Sequence, residues 1–242
     1  DIEQFIGLCR EKNVPVIVDA ASEYDLRTFI DLGASIVIYS GHKFLGGPTS
    51  GILAGNECLI RSAYMHQTSG LGRAMKVGKE SIVGVIAALE RWQSTNHRDI
   101  QKIEYDRLLK IKIGLSSFPE LICEESPDPT GNPITRLRVS IDSSRTSLNI
   151  ADVVDMLRSQ NPPIIVRNHH VDMGYFEIDP CNMVDGDPEI VIASFEQLRS
   201  LISGSTPAAE ANNDYGPRFS CYDKEGLPRL DLKKVPFSNS GK

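Results

Sequence analysis

From Ser35 to Gly55 the chain reads SIVIYSGHKFLGGPTSGILAG, and few folds accommodate that order of residues. An apolar run, Ile36 to Tyr39, stops at Ser40-Gly41. His42 and Lys43 come next, then a Gly-Gly-Pro turn and a second apolar run, Gly51 to Ala54. This pattern predicts strand, loop, strand, with one lysine at the mouth of a sheet. Just upstream, the continuous apolar strand Val14 to Val18 ends in the carboxylate of Asp19. Between the two strands, Tyr24 to Leu32 has helical spacing, with Leu26, Phe29, Ile30 and Leu32 inward and Gly33 as its C-terminal stop. Strand, helix, strand in so short a compass predicts a parallel βαβ unit, which brings Asp19 and Lys43 to one edge. Open α/β sheets bind ligands outside the carboxyl ends of their strands. The backbone N–H groups of Gly46, Gly47 and Thr49 are candidates to line an anion there. A lysine so placed is a candidate Schiff-base former.

The pattern strand-Asp-x-Ala (Asp19, Ala20, Ala21) followed by Ser-x-His-Lys (Ser40 to Lys43) resembles the cofactor site of fold-type-I pyridoxal-phosphate enzymes. Three segments, SGHKFLGGPTSG, GRAMKVGKE and PPIIVRNHH, narrow the resemblance to the branch of D-glucosaminate-6-phosphate ammonia-lyase and bacterial selenocysteine synthase. It runs from about residue 1 to 202. It implies pyridoxal 5'-phosphate, with Lys43 as its covalent anchor and then the base at the substrate's α-carbon. Asp19 would keep the ring nitrogen protonated, because an opposite charge at hydrogen-bonding distance favours the charged form. Ala21 would lie against the ring face, and Ser40, His42 and Gly47 complete the implied cofactor contacts. Ser40 as a plain turn residue is the alternative.

The basic cluster Arg73, Lys76 and Lys79 suits a phosphorylated or carboxylated substrate through charge-assisted hydrogen bonds, and its alternative is a solvated loop. Arg167 corresponds in the resemblance to the small-domain arginine that grips a substrate carboxylate, work that suits a planar fork. His42, His169 and His170 are candidates to protonate a leaving group, against a role as polar turn residues. A metal site is not expected, since the histidines lack a third spaced ligand.

With 242 residues and 40% hydrophobic content, the chain has material for one large or two modest domains. No apolar run approaches the ~20 residues of a membrane span, and no basic-then-apolar leader opens the chain, so a cytoplasmic protein without a membrane partner is expected. A net charge of −6 argues against a general nucleic-acid surface. The five cysteines, Cys9, Cys58, Cys123, Cys181 and Cys221, lack CxxC spacing and read as reduced thiols.

The expected fold is α/β: residues 1–96 as part of a large, mainly parallel fold-type-I domain, 97–118 as a connecting helix, 119–203 as a smaller α+β domain, and 204–242 as a disordered tail. In the smaller domain, strands are expected at Leu121 to Cys123, Ile134 to Ile141, Ile164 to Val166 and Tyr175 to Ile178, and helices at Ile150 to Leu157 and Glu189 to Ile202. The chain opens at Asp1, not Met, and the phosphate loop and ring-stacking residue that the resemblance places upstream are not found, so a fragment, inactive and aggregation-prone alone, is expected. The function so implied is an ammonia-lyase for a β-hydroxy 2-amino acid such as D-glucosaminate 6-phosphate, working as a homodimer or higher homo-oligomer. The rivals are a selenocysteine synthase-like transferase on serine-charged tRNA and a non-catalytic protein that keeps the fold.

Overall fold

The computed structural model describes residues 1–204, so the expected tail lies from 205 onward outside the described residues. Contacts divide the chain into two units. One is Asp1–Lys110 with Glu125–Arg136 and Asp179–Asp185; the other is Ile111–Glu124, Leu137–Ile178 and the chain from Gly186.

In the first unit, helix α1 (Ile2–Glu11) is capped by the Asp1 carboxylate, which accepts from Glu3 N, and buries Ile6. Strand β1 (Ile17–Asp19), the short helix α2 (Thr28–Asp31) and strand β2 (Ile36–Ser40) form the expected parallel unit, with Ile17 paired to Ile36 and Asp19 to Ile38. Its core is Ile6, Val16, Ala20, Ala34, Val37 and Tyr39, with Leu26, Phe29, Ile30 and Leu32 packed against it. The helix expected from Tyr24 shrinks to one turn because Asp25 captures the backbone N–H groups of Arg27 and Thr28 and the Thr28 hydroxyl. Such local side-chain bonds compete with the helix ladder. Strand β3 (Gly51–Gly55) runs antiparallel to β2, from Ile36↔Gly55 to Ser40↔Gly51. The stretch 41–50 is too short for the crossover that parallel pairing needs, so the sheet is mixed here, not parallel throughout.

Asn56 caps helix α3 (Glu57–Ser69), and a 3₁₀ turn, Leu71–Met75, leads to helix α4 (Lys79–Ser94) and helix α5 (His97–Leu115). The apolar face of α4 is split: Ala88 is buried, whereas Ile82, Val83 and Ile86 are exposed.

In the second sheet the order is β4 (Leu121–Pro127), β5 (Thr135–Ile141), β6 (Tyr175–Ile178), and β6 runs antiparallel to β5 from Leu137↔Ile178 to Ser140↔Tyr175. Helix α6 (Ile150–Arg158) opens with an Asn149–Asp152 capping box. Phe118, Leu137, Val139, Leu157, Phe176, Phe195 and Ile202 form the fully buried interior of the second unit. The expected strand Ile164 to Val166 does not form. Ile164 N donates to Leu157 O at the end of α6, and only Arg167 bridges Glu177. The two prolines before it, Pro162 and Pro163, offer no N–H to a ladder. The expected final helix is two, α7 (Asp187–Gln197) and α8 (Arg199–Gly204), broken at Leu198. Among the described residues, no helix is long and apolar enough to cross a membrane.

Candidate functional site

Parallel pairing of β1 and β2 sets Asp19 and Ser40 at the same, carboxyl-terminal edge of the sheet. Past that edge the chain turns twice. In the first turn, Asp19 Oδ1 accepts from Ala21 N at 3.1 Å and Ala20 N donates to Ile38 O at 2.8 Å, which locks the strand end. Ala20 is buried and Ala21 half-buried, so neither side chain adds bulk at the edge. In the second turn, Lys43 is exposed and its Nζ donates to Ser22 Oγ at 2.6 Å. The two loops thus meet through a lysine amine and a serine hydroxyl. Ser22 escaped the sequence reading, although its position three residues past Asp19 was visible there.

The lysine loop is held from behind by α4. Arg91 Nη2 donates to Leu45 O at 2.9 Å and to Gly46 O at 3.3 Å. Gly84 lies so close to Pro48 that a Cβ there would collide with the proline ring, and at Gly47 a Cβ would stand 2.8 Å from Gly41 O and 3.1 Å from Ala88 Cβ. Small residues on both sides let the loop approach the helix. The N–H groups of Gly46 and Gly47 donate to Lys43 O and Gly41 O, at 2.9 and 2.7 Å. Both are spent inside the loop, so the expectation that they line an anion is corrected. Ser40 Oγ and His42 Nδ1 stand 3.1 Å apart at the loop entrance.

An aromatic cluster braces the same loops. Tyr24 packs on Phe44 at 5.3 Å and on Trp92 at 4.8 Å between ring centroids, and His97 packs on Trp92 at 4.3 Å. Trp92 O can only accept, so His97 Nε2 donates to it at 2.9 Å, and His97 Nδ1 stands 2.8 Å from the Tyr24 hydroxyl. Burial, followed by the charge of Glu104, pushes the Tyr24 hydroxyl above its ordinary pKa, so it remains a donor.

Beyond Tyr24 lies a chain of polar groups, half-buried at Asn132 and Asp179 and buried at Arg136. Asn132 Oδ1 accepts from Tyr24 N at 2.7 Å, and its Nδ2 donates to Ser22 O at 3.1 Å. Asp128, Arg136 and Asp179 continue it: Arg136 donates through Nη1 to Asp128 and through Nε to Asp179, each at 2.7 Å. The Asp128 and Arg136 side chains are both only 8% exposed. Burial alone would raise the Asp128 pKa, but hydrogen bonds from Thr130 and Arg136 outweigh it and hold the carboxyl down to about 2. A depressed carboxylate stabilises the fold above its unfolded pKa of about 3.9, and that contribution is lost as pH falls through the folded value. The unfolding free energy is therefore expected to drop by about 2 kcal/mol more in the native protein than in Asp128→Asn as pH is lowered from about 4 to 2. Urea titrations at several pH values check this, and parallel curves for the two proteins would refute it.

The substrate-binding candidates are placed as follows. Arg73 lies in the 3₁₀ turn, and its Nη1 donates to Thr68 O at 3.0 Å near the end of α3; Lys76, just past the turn, is exposed. In the second unit, Arg167 exchanges backbone hydrogen bonds with Glu177, both 2.9 Å, and its Nε stands 3.6 Å from Glu177 Oε2. Glu177 thus orients the guanidinium. If the fork grips a substrate carboxylate, Arg167→Lys should raise KM with a cost of about 1–3 kcal/mol and leave cofactor binding unchanged. Loss of cofactor with unchanged KM would reassign it.

Residues 3–114 match the family described as SelA, L-seryl-tRNA selenium transferase. The D-glucosaminate-6-phosphate ammonia lyase of Salmonella typhimurium is 34% identical over 197 residues, 81% of this chain and 52% of that protein. A 5'-C-glycyluridine monooxygenase-decarboxylase from a Streptomyces species is 33% identical over 197 residues, 81% of this chain and 49% of that protein. The solved structure of D-glucosaminate-6-phosphate ammonia-lyase superposes with a TM-score of 0.64 at 31% identity, over 85% of this chain and 53% of that one. A ureidoglycine-glyoxylate aminotransferase from Bacillus subtilis shares the fold, with a TM-score of 0.54 at 15% identity over 86% of this chain and 58% of that one. The chain spans about half the length of the curated relatives it matches. It belongs to the fold-type-I pyridoxal-phosphate enzymes. Within them it falls in the branch that holds D-glucosaminate-6-phosphate ammonia-lyase and the L-seryl-tRNA selenium transferases. Pyridoxal phosphate is the cofactor of this family. The edge fits it, with an amine at Lys43, a carboxylate at Asp19 and the small side chains of Ala20 and Ala21 between them in sequence.

Proposed function

We propose that this chain is part of a pyridoxal-phosphate ammonia-lyase that converts D-glucosaminate 6-phosphate to 2-dehydro-3-deoxy-gluconate 6-phosphate and ammonia. The observation that carries this reading is the 34% identity to the Salmonella lyase over 197 residues, 81% of this chain. Lys43 and Asp19 act on the cofactor and the reacting carbon, Ala21, Ser40 and His42 are its further contacts, and Arg73, Lys76 and Arg167 take the substrate's anionic groups.

Bound pyridoxal phosphate supplies an electron sink for the bond broken at the substrate's α-carbon. Lys43 would hold the cofactor through Nζ, and the same amine would take the α-proton of the substrate. Asp19 would hold the cofactor's ring nitrogen, its negative charge favouring a proton there. Ser22 Oγ, 2.6 Å from Nζ, receives the amine's hydrogen bond and keeps it near the strand ends. The β-hydroxyl leaves with a proton as water, and hydrolysis of the released product gives the 2-oxo acid and ammonia. A homo-oligomer working in the cytoplasm belongs to the same reading.

The test is incubation of the full-length protein with D-glucosaminate 6-phosphate and measurement of 2-oxo acid and ammonia. One of each per substrate consumed supports the proposal. Decarboxylation or oxygen uptake instead would favour the chemistry named for the Streptomyces relative, and retention of serine-charged tRNA on a filter would favour a transferase.

A further inference from the structure

We propose that Asn132 is a positioning residue for Lys43, acting through the Ser22–Tyr24 turn; this rests on the reading of Lys43 as the cofactor's anchor. Lys43 is exposed and carried on a flexible four-carbon stem, and among the described residues the one side-chain partner of its amine is Ser22 Oγ. Ser22 is itself an exposed residue in a turn closed locally by the bond from Glu23 N to Ala20 O at 3.1 Å, and that bond leaves Ser22 O and Tyr24 N to be held from elsewhere.

The turn is held from a residue remote in sequence. Tyr24 N can only donate and Ser22 O can only accept, so the Asn132 amide must present Oδ1 to the first and Nδ2 to the second, as it does at 2.7 and 3.1 Å. One side chain thereby fixes a backbone donor and a backbone acceptor two residues apart. An aspartate supplies only the acceptor, and an alanine neither. The amide is seated in turn, since Nδ2 stands 2.9 Å from Thr130 Oγ1 and 3.3 Å from Asp128 Oδ1. Asp128 is anchored by Arg136, and Arg136 by Asp179. A buried ion-paired base thus ends in an amide, the amide in a turn, and the turn in the hydroxyl that holds the lysine. A merely structural loop would not need its last hydrogen bond directed at the one lysine on the neighbouring loop.

The test uses full-length protein stripped of cofactor with hydroxylamine. Trinitrobenzenesulfonate labels its lysines at fixed pH, and peptide mapping compares the rates at Lys43 and at exposed Lys12. Ser22→Ala removes a single exposed hydroxyl and should speed labelling of Lys43 about fivefold relative to Lys12, the factor for one lost hydrogen bond of ~1 kcal/mol. Asn132→Asp should do the same, and the double variant should be no faster than Ser22→Ala alone, because Asn132 acts through Ser22. Additive rates in the double variant, or unchanged Lys43 labelling in both single variants, would overturn the proposal. Borohydride reduction of the reloaded native protein tests the underlying reading separately. Cofactor fixed at another lysine sinks Lys43 as the anchor, whereas the labelling ratios still report whether Asn132 positions its amine.

Discussion

Lys43→Ala in the full-length protein is expected to fold normally, to take no cofactor label on borohydride reduction, and to lose turnover by about a thousandfold or more. The fold should survive because Lys43 is exposed and its hydrogen bond to Ser22 joins two exposed side chains, so the change belongs to the surface class that costs within about 0.5 kcal/mol. The loop has other anchors. Arg91 still holds Leu45 O and Gly46 O, and Gly41 N still donates to Ser50 O at 2.9 Å. Loss of activity without loss of unfolding midpoint separates a chemical role from a structural one. It also excludes the reading of this chain as a non-catalytic scaffold. Retained turnover, or a label mapping to a lysine elsewhere, would remove Lys43 from the reaction.

The features that local chemistry dictates were legible in the sequence. Apolar runs ending in Asp19 and Ser40 placed two strand ends side by side, because a short helical connection between them permits only a parallel pair. The same reasoning did not reach β3, whose direction depends on whether the ten-letter motif from Gly41 to Ser50 can cross a sheet; pattern shows the strand and not its sense. Nor did it find the end of α2, where the Asp25 side chain takes the backbone bonds that a helix from Tyr24 would need.

The site divides along the same line. Lys43 and Asp19 stood out because residue type and position along a strand announce them. Ser22 and Asn132 did not, since a serine and an asparagine in polar turns have ordinary local uses. Their partners lie 21 residues away for Ser22 and 108 and 110 residues away for Asn132. Only the folded chain reveals such pairings. Arg136 shows the reverse difficulty: an arginine inside an alternating strand reads as a solvent-facing residue, yet it is buried between Asp128 and Asp179. The backbone N–H groups of Gly46 and Gly47 read as free donors from their position past a strand end, and the tight turn uses both.

Asp19→Asn is the second change expected to have a large effect, and its geometry isolates charge from shape. The asparagine is isosteric, and its side-chain oxygen can still accept from Ala21 N, the contact that Asp19 Oδ1 makes at 3.1 Å. Asx turns tolerate either residue, so the strand end and the fold should be preserved. Lys43 lies on the other loop and keeps its own partner, so the cofactor should still attach there. What disappears is the negative charge that favours a proton on the ring nitrogen. The barrier should rise by ~4 kcal/mol, about a thousandfold in kcat. The sign of the residual pH dependence follows: without the carboxylate the ring nitrogen holds its proton less tightly, so activity in Asp19→Asn should climb as pH falls, in a range where the native enzyme is flat. Parallel pH profiles for kcat, with borohydride mapping to confirm attachment at Lys43, measure both effects. Near-native kcat in Asp19→Asn, or a loss that is the same at every pH, would show that the carboxylate does not act at the ring.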